Sequence, residues 1–398
     1  MKKKILIILN SEPLYGGLYQ YSIMLADALV SSNRFDITIN TSNFEIYKKY
    51  KDKVKVKFKK KFLKKITEFL FEFRFIKKGI YRFILYLKPF LKKFFNIFGK
   101  NISEEIDNQF DIIVYPSQNF IYQKPDSKTK IISVIHDLMH IYEGHFKEYS
   151  PEEKLMRDYL FSNICKNSDI IVSDSNVGKT HISEMYNCEL SKIRPIYFCP
   201  YNHYENLESF ILFKKKFSNF SFKNYFFYPA QFWEHKNHLR ILDSIYYLKL
   251  KGLEVNIILS GSRKNNFDKV IKKIKYYNIE NNVLLAGYVD ENIIKYLYKN
   301  AIALVYPSLI GPTNIPPLEA MQYDCPVICS DIYGMREQLK DAAYFINPQS
   351  VKELSQAMQD LIINQDLRNN LIKRGKNLVK LRSYERFKED YLKLISSL

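Results

Sequence analysis

Residues 306–331, which read YPSLIGPTNIPPLEAMQYDCPVICSD, decide the class of fold. An apolar strand runs into a loop that contains Gly311 and Asn314, and Pro316 and Pro317 then open a short helix before a second apolar strand. Proline is compatible with the first turn of a helix because its missing N–H would be unpaired there anyway. The helix dipole and the unpaired N–H groups of a helix start favour an anion. This stretch therefore predicts a β-α-β unit with a nucleotide diphosphate at the start of its helix.

The same alternation of strand and helix extends in both directions from this stretch. The chain starts with an apolar strand over 4–9, a loop that ends in Gly16 and Gly17, and a helix from Leu18. The pattern restarts after an irregular linker over 199–224, with a strand over 225–230. Alternating elements of this kind predict parallel sheets.

Two such units predict an α/β protein with two Rossmann-like domains that face a central cleft. The predicted first domain spans residues 1–200 and contains a basic amphipathic insertion around 48–100. The predicted second domain spans 201–380 and binds a nucleotide sugar. Residues 381–398 form a C-terminal helix that could pack back on the first domain. Ligands of open parallel sheets bind at the carboxyl ends of the strands, which would line the cleft.

The string Pro-Pro-Leu-Glu-Ala-Met at residues 316–321 resembles the donor-site signature of family 4 retaining glycosyltransferases of GT-B fold. That signature has two Glu residues separated by seven others, as in E-G-F-G-L-P-P-L-E-A-M. Glu319 stands at its second Glu and, close to the helix start, can accept hydrogen bonds from ribose hydroxyls. Gly311 stands where the first Glu is expected, and Asn314 where the second Gly is. The resemblance covers most of the chain, about residues 4–391. Residues 311–314, which read GPTN, make this a variant of the family motif.

A second loop, PAQFWEHKNH at residues 229–238, resembles the family's diphosphate clamp. Lys236 stands at the Lys position, while Gln231 stands where the family has Arg. A Lys still offers charge-assisted hydrogen bonds to phosphate. His136, which follows an apolar strand in the first domain, stands where the family has a His that faces the donor sugar.

The resemblance therefore implies a set of site residues on both sides of the cleft. The expected catalytic residues are His136, Lys236 and Glu319. The expected donor-binding residues lie in the loops after strands, and they are Gly16, Gly17, Gly261, Arg263, Tyr288, Gly311, Thr313, Asn314 and Ile315.

The resemblance implies front-face attack, in which the departing diphosphate helps to remove the acceptor proton. The protein then contributes positioning and stabilisation of the leaving phosphate. The sequence has no Asp-x-Asp in a suitable loop and no cluster of His residues, so we expect no metal and no cofactor, with the nucleotide diphosphate sugar as a substrate.

The basic residues are concentrated between Lys48 and Lys100, which holds 19 of the 61 Lys and Arg residues and only three acids. Apolar residues recur there at steps of three and four over 62–98, with Pro89 in between. This composition is typical of an interfacial helix on anionic lipid. It is also compatible with a helix that packs on its own domain. Nucleic acid is the least favoured partner, because no nucleic-acid module is recognisable.

No run approaches the ~18 apolar residues that span a bilayer, and the five cysteines form no framework of pairs. We expect a cytoplasmic protein, peripheral at the inner face of the plasma membrane.

The expected function is the retaining transfer of a hexose from a nucleotide sugar to a glycan or lipid-linked glycan, in polysaccharide or lipopolysaccharide assembly. Mannose is the hexose that the resemblance favours. Two alternatives stay open: a catalytically silent GT-B scaffold at the membrane, and a GT-B sugar-nucleotide epimerase.

Overall fold

A computed structural model describes residues 2–12, 16–58, 109–118, 128–200, 224–289 and 291–398, together with residues 211, 213, 215, 217 and 222. The predicted basic helix over 62–98 and most of the linker over 199–224 lie outside the described residues.

The described strands are short, and the inner strands of each sheet are mostly buried, as expected for parallel strands that are covered on both faces. The edge strand Lys55–Phe58 is partly exposed. Those of the first domain are β1 (Lys4–Ile8), β2 (Asp36–Thr41), β3 (Lys55–Phe58), β4 (Ile112–Tyr115), β5 (Lys130–Val134), β6 (Ile170–Ser173) and β7 (Ile193–Pro195). Those of the second domain are β8 (Phe226–Pro229), β9 (Ile257–Ser260), β10 (Val283–Gly287), β11 (Leu304–Tyr306), β12 (Val327–Ser330) and β13 (Tyr344–Ile346).

The described helices connect these strands or close the chain. They are α1 (Gly17–Val30), α2 (Phe44–Tyr50), α3 (Met139–Tyr142), α4 (Pro151–Asn167), α5 (Asn176–Tyr186), α6 (His238–Leu250), α7 (Phe267–Tyr276), α8 (Glu291–Asn300), α9 (Ile315–Gln322), α10 (Met335–Leu339), α11 (Val351–Ile363), α12 (Gln365–Leu381) and α13 (Tyr384–Ser396).

Two parallel sheets organise the molecule. The first has the order β3-β2-β1-β4-β5-β6-β7, and the second has the order β10-β9-β8-β11-β12-β13. In each sheet the chain runs outward from one central strand and then returns to the other side of that strand. This reversal creates a topological switch point between β1 and β4 and another between β8 and β11, where open α/β sheets bind ligands.

The last helix, α13, lies against α1 of the first domain. The buried hydroxyls of Tyr21 and Tyr391 are hydrogen-bonded, and the ring of Phe387 packs edge-on against Tyr21 at a centroid distance of 5.7 Å. Lys3 of the first domain donates to the backbone carbonyl groups of Ile395 and Ser396. The carboxyl end of the chain is thus anchored on the domain in which the chain begins.

Candidate active site in the cleft

The loop after β8 places Lys236 at the switch point of the second sheet. A 3-10 turn over Glu234–Lys236 ends at Asn237, which has a left-handed backbone (φ 58°). The Asn237 side chain fixes this turn, because its amide donates to the carbonyl oxygens of Pro307 (3.0 Å) and Pro348 (2.8 Å). The Lys236 side chain is thereby directed towards β11.

Lys236 and the loop after β11 are joined through one tyrosine hydroxyl. Nζ of Lys236 donates to Oη of Tyr306 (3.0 Å), which donates to Oδ1 of Asn314 (2.7 Å). Burial lowers the pKa of Lys236 to about 8, and the negative charge of Asp137 opposes the shift. A cation held in this way is suited to a diphosphate, whose charge would compensate for the lost hydration.

Gly311 and Asn314 depend on each other. Gly311 has a φ of +116°, and a β-carbon at this position would lie 2.7 Å from Nδ2 of Asn314. The family's Glu would therefore collide with the Asn314 side chain and would also strain the backbone. The two departures from the signature are thus coupled, because the Asn314 amide lies against the position that a side chain at residue 311 would need.

Helix α9 begins beside this amide, and its first turn offers few donors. The backbone of Asn314 is held by Gln338, which accepts from its N–H (2.9 Å) and donates to its carbonyl (2.9 Å). Pro316 and Pro317 have no N–H, so Ile315 is the only one of the first three helical residues with an amide proton. The sequence pattern predicted several donors at this helix start. An anion there depends on Ile315, the helix dipole and Lys236.

Glu319 lies one turn into α9. Its Oε2 accepts a hydrogen bond from the Tyr298 hydroxyl (3.2 Å), which orients the carboxylate. Across the cleft, a β-carbon on Gly17 would lie 3.6 Å from Cδ1 of Ile315, so the start of α1 faces the start of α9. Gly16 precedes it with a left-handed backbone.

His136 follows β5 and is oriented by its neighbours. Its ring packs edge-on against Tyr21 at 4.6 Å, and burial lowers the pKa of His136 to about 4, so the imidazole is neutral at pH 7. One ring nitrogen bonds the backbone of Pro116, whereas Nε2 is buried and has no partner among the described residues. Because Nδ1 carries the proton in that bond, Nε2 can accept from a hydroxyl group, such as that of a sugar.

The remaining candidates lie in the loops of the second domain. A β-carbon at Gly261 would approach the Ala230 carbonyl oxygen to 2.3 Å, so β8 and β9 can meet there only with glycine. The Arg263 side chain is exposed, and its guanidinium lies over the Phe267 ring. Tyr288 is 77% exposed. The structure does not join either residue to the Lys236–Tyr306–Asn314 chain.

Three side chains at this site were absent from the sequence prediction. Tyr306 bridges Lys236 to Asn314. Thr313 donates to the carboxylate of Asp174, which follows β6 in the first domain, and Glu148 of the first domain bonds His235. Tyr306 ends β11, and its partners lie in its own domain. Asp174 follows a strand and Glu148 lies in a loop, but nothing in the sequence shows which residue of the other domain each one contacts.

Residues 210–378 match the family model described as "Glycosyl transferases group 1". Among solved structures, a glycosyltransferase from Rickettsia africae aligns with 99% of this chain and 97% of its own, with a TM-score of 0.70 and 17% identity. HepE from Anabaena in complex with UDP-glucose aligns over 100% of both chains, with a TM-score of 0.69 and 14% identity.

The chain has the GT-B fold. The parallel sheets and the cleft between them, predicted from the alternation of elements, are therefore confirmed.

Curated relatives of this GT-B chain include O-antigen mannosyltransferases. RfbU, the O-antigen chain mannosyltransferase of Salmonella typhimurium, is 30% identical over 216 residues, or 54% of this chain and 57% of that protein. The O-antigen chain mannosyltransferase B of Escherichia coli is 24% identical over 256 residues, or 62% of this chain and 65% of that protein. The chain thus matches less than two thirds of the length of these relatives.

Among the residues that the structure describes, no group of three or more His, Cys, Asp or Glu side chains could hold a metal ion. No helix in the described ranges is long and apolar enough to cross a membrane. All five cysteines are buried and free.

Proposed function

We propose that the protein is a glycosyltransferase that moves a hexose from a nucleotide diphosphate sugar to a glycan acceptor in cell-surface polysaccharide or lipopolysaccharide assembly. The observation that carries this proposal is the convergence of Lys236 and the start of α9 at one switch point, joined through Tyr306. The match to the glycosyltransferase family model over residues 210–378 and the O-antigen relatives support it.

Different residues of the site bind the nucleotide and the sugar of the donor. Lys236 and the dipole of α9 stabilise the charge that develops on the leaving diphosphate. The Glu319 carboxylate accepts hydrogen bonds from ribose hydroxyls, and Nε2 of His136 accepts one from the hexose. The amide of Asn314 replaces the first carboxylate of the motif and contacts the same sugar.

The finer features of the reaction belong to the same proposal. The transfer retains the configuration of the anomeric carbon, requires no metal, and uses mannose as the hexose. The mannose assignment is supported by the printed activities of RfbU and mannosyltransferase B. NMR of the first-formed product tests retention, and full activity in EDTA tests metal independence.

Donor binding is the experiment that tests the site. Wild-type protein and the Lys236→Met and Glu319→Ala variants would be heated with a panel of nucleotide sugars. We expect one nucleotide class to raise the melting temperature of the wild type by several degrees. Neither variant should show this shift. The matched control is Lys251→Ala, an exposed lysine at the other end of α6. The absence of stabilisation of the wild type by any nucleotide sugar would contradict the proposal.

We further propose that the acceptor is lipid-linked and that the basic segment over 48–100 holds the enzyme on anionic membrane. The concentration of Lys and Arg in this segment supports this. Co-flotation with vesicles that contain anionic lipid, but not with neutral vesicles, is the expected result. Equal recovery with both kinds of vesicle would contradict it.

A further inference from the structure

Asp174 is a buried carboxyl group of the first domain that contacts the donor loop of the second. It follows β6 and is 3% exposed. Its Oδ2 accepts from the hydroxyl of Thr313, within the GPTN segment, and its Oδ1 accepts from the hydroxyl of Ser175 (2.9 Å). The contact exists only while the carboxyl ends of the two sheets lie together.

The buried position of the Asp174 carboxyl disfavours its ionised form. Burial is the main reason that the pKa of Asp174 is raised to about 7. The negative charge of the nearby Asp137 also raises this pKa, whereas the hydrogen bonds from Thr313 and Ser175 lower it. Tyr21 of α1 interacts electrostatically with the same carboxyl group. A raised pKa means that the folded state binds this proton more tightly than the unfolded chain. Stability is therefore lost as the pH rises from about 4 to about 7. A costly group at a cleft is better explained by what it positions.

Glu148 makes a second contact of the same kind. Its Oε1 accepts from Nδ1 of His235 (2.8 Å) and from the His235 backbone N–H (3.2 Å). Burial alone would raise the pKa of Glu148, but these hydrogen bonds lower it to about 2. Burial lowers the pKa of His235 despite the nearby carboxylate, so a neutral imidazole donates to an ionised Glu148. His235 immediately precedes Lys236.

The loop of Thr313 and the loop of Lys236 are thus each held by one carboxyl group of the first domain. We propose that Asp174 and Glu148 are positioning residues, which fix the loops of Thr313 and of Lys236 in their donor-binding arrangement when the cleft is closed. This inference rests on the proposed glycosyltransferase function. It makes the donor site complete only in the closed molecule, although the residues that contact the donor lie largely in the second domain.

The test is a double-mutant cycle on kcat/KM for the nucleotide sugar. Asp174→Ala and Thr313→Val each remove the same hydrogen bond, and Val keeps the shape of Thr. Each should lower kcat/KM about ten- to a hundredfold, as expected when one partner of a buried hydrogen bond is removed and the other is left unsatisfied. The double variant should be no worse than either single variant, within about threefold. Asp174→Asn, which can still bond both hydroxyls, should recover most of the activity.

The second loop provides an independent arm of the cycle. Glu148→Ala should also lower kcat/KM, and its effect should multiply with that of Asp174→Ala because the two carboxyl groups hold different loops. Asp158→Asn is the control, since Asp158 bonds His140 and Tyr186 within the first domain. Circular dichroism and melting curves establish that each variant is folded.

The outcomes separate the two proposals. A wild type that neither binds nor turns over a nucleotide sugar contradicts the proposed function. An active wild type together with folded Asp174→Ala and Thr313→Val variants of unchanged kcat/KM overturns the inference. So does a double variant whose loss is the product of the two single losses. If Asp174→Ala does not fold, Thr313→Val and Asp174→Asn decide: the inference predicts a loss in the first and near wild-type activity in the second.

Discussion

At the scale of single residues, the site replaces a carboxylate with an amide. The Asn314 amide nitrogen lies 2.7 Å from the position of a β-carbon on Gly311, and Asn314 is joined to Lys236 through Tyr306. A neutral amide next to the cation leaves the positive charge of Lys236 available for a diphosphate, whereas a carboxylate there would partly neutralise it.

Gly311→Glu, which introduces the residue of the family signature, should therefore reduce activity. The substitution strains a backbone with a φ of +116° and collides with Asn314. We expect a loss of about 1–3 kcal/mol in the free energy of unfolding and at least about tenfold in kcat/KM. Adding Asn314→Gly should recover part of the loss, because it removes the collision. Urea denaturation and donor kinetics measure both quantities, and a double variant worse than Gly311→Glu would show that the two positions are not coupled in this way.

The pH dependence of donor binding should be determined by Lys236. Burial lowers its pKa to about 8, so the unbound protein loses this charge as the pH rises through about 8. A bound diphosphate favours the ammonium form, so affinity is constant below about pH 7.5 and falls by up to about tenfold per pH unit above about 8. Calorimetric titration across this range measures the dissociation constant. Lys236→Met should bind weakly with no such slope, and an identical slope in that variant would assign the titration to another group.

At the scale of elements, the sequence predicted the helices and strands well because apolar periodicity and β-branched runs report local burial. The strand predicted over 4–9 spans Lys4–Ile8, and the strand predicted over 225–230 spans Phe226–Pro229. The helix predicted from Leu18 begins one residue earlier, at Gly17.

The contacts between elements were much less predictable. The bonds of Asp174 to Thr313 and of Glu148 to His235 join residues 139 and 87 positions apart, and no local pattern encodes such a pairing. The location of Lys236 and Glu319 followed instead from motif resemblance. Asp174 does stand after a buried strand, at the edge where ligands bind, and that position was its one visible signal.

The packing of α12 against α9 should affect the affinity of the donor site. A β-carbon at Gly375 of α12 would lie 3.0 Å from Cγ of Met321. Gly375→Leu should thus displace α9 and cost about 1–3 kcal/mol in the free energy of unfolding, with a weaker donor affinity. Lys373→Leu, at an exposed position on the same helix, is the matched control. Thermal denaturation and donor titration of both variants test this prediction. Equal stability and equal donor affinity in the two variants would show that α12 can move away from α9 without effect.

At the scale of the whole molecule, the chain crosses the cleft region more than once. The first domain holds both donor loops, and α13 returns from the second domain to pack on α1. Glu337 of the second domain accepts from the backbone N–H groups of Asn176 (2.8 Å) and Val177 (3.2 Å), at the start of α5. These contacts tie the relative position of the domains to the residues that we propose hold the donor.

The Tyr21–Tyr391 pair should contribute to the anchoring of α13. Tyr391→Phe leaves the buried hydroxyl of Tyr21 without its partner, which should cost about 1–3 kcal/mol in the free energy of unfolding. Tyr21→Phe combined with Tyr391→Phe removes both hydroxyls and should be less destabilised than Tyr391→Phe alone. Chemical denaturation of the three variants measures this. A double variant that loses the sum of the single effects would contradict the pairing.

Turnover that depends on an acceptor is the most direct test of the proposed glycosyltransferase activity. Wild-type protein would be incubated with the nucleotide sugar that stabilises it and with lipid-linked glycan from the organism's own surface polysaccharide, and the release of nucleoside diphosphate would be followed with the transfer of hexose. We expect equal molar release and transfer in the wild type, and a loss of at least about a hundredfold in Lys236→Met. Sugar-nucleotide conversion without acceptor, or equal turnover by Lys236→Met, would contradict it.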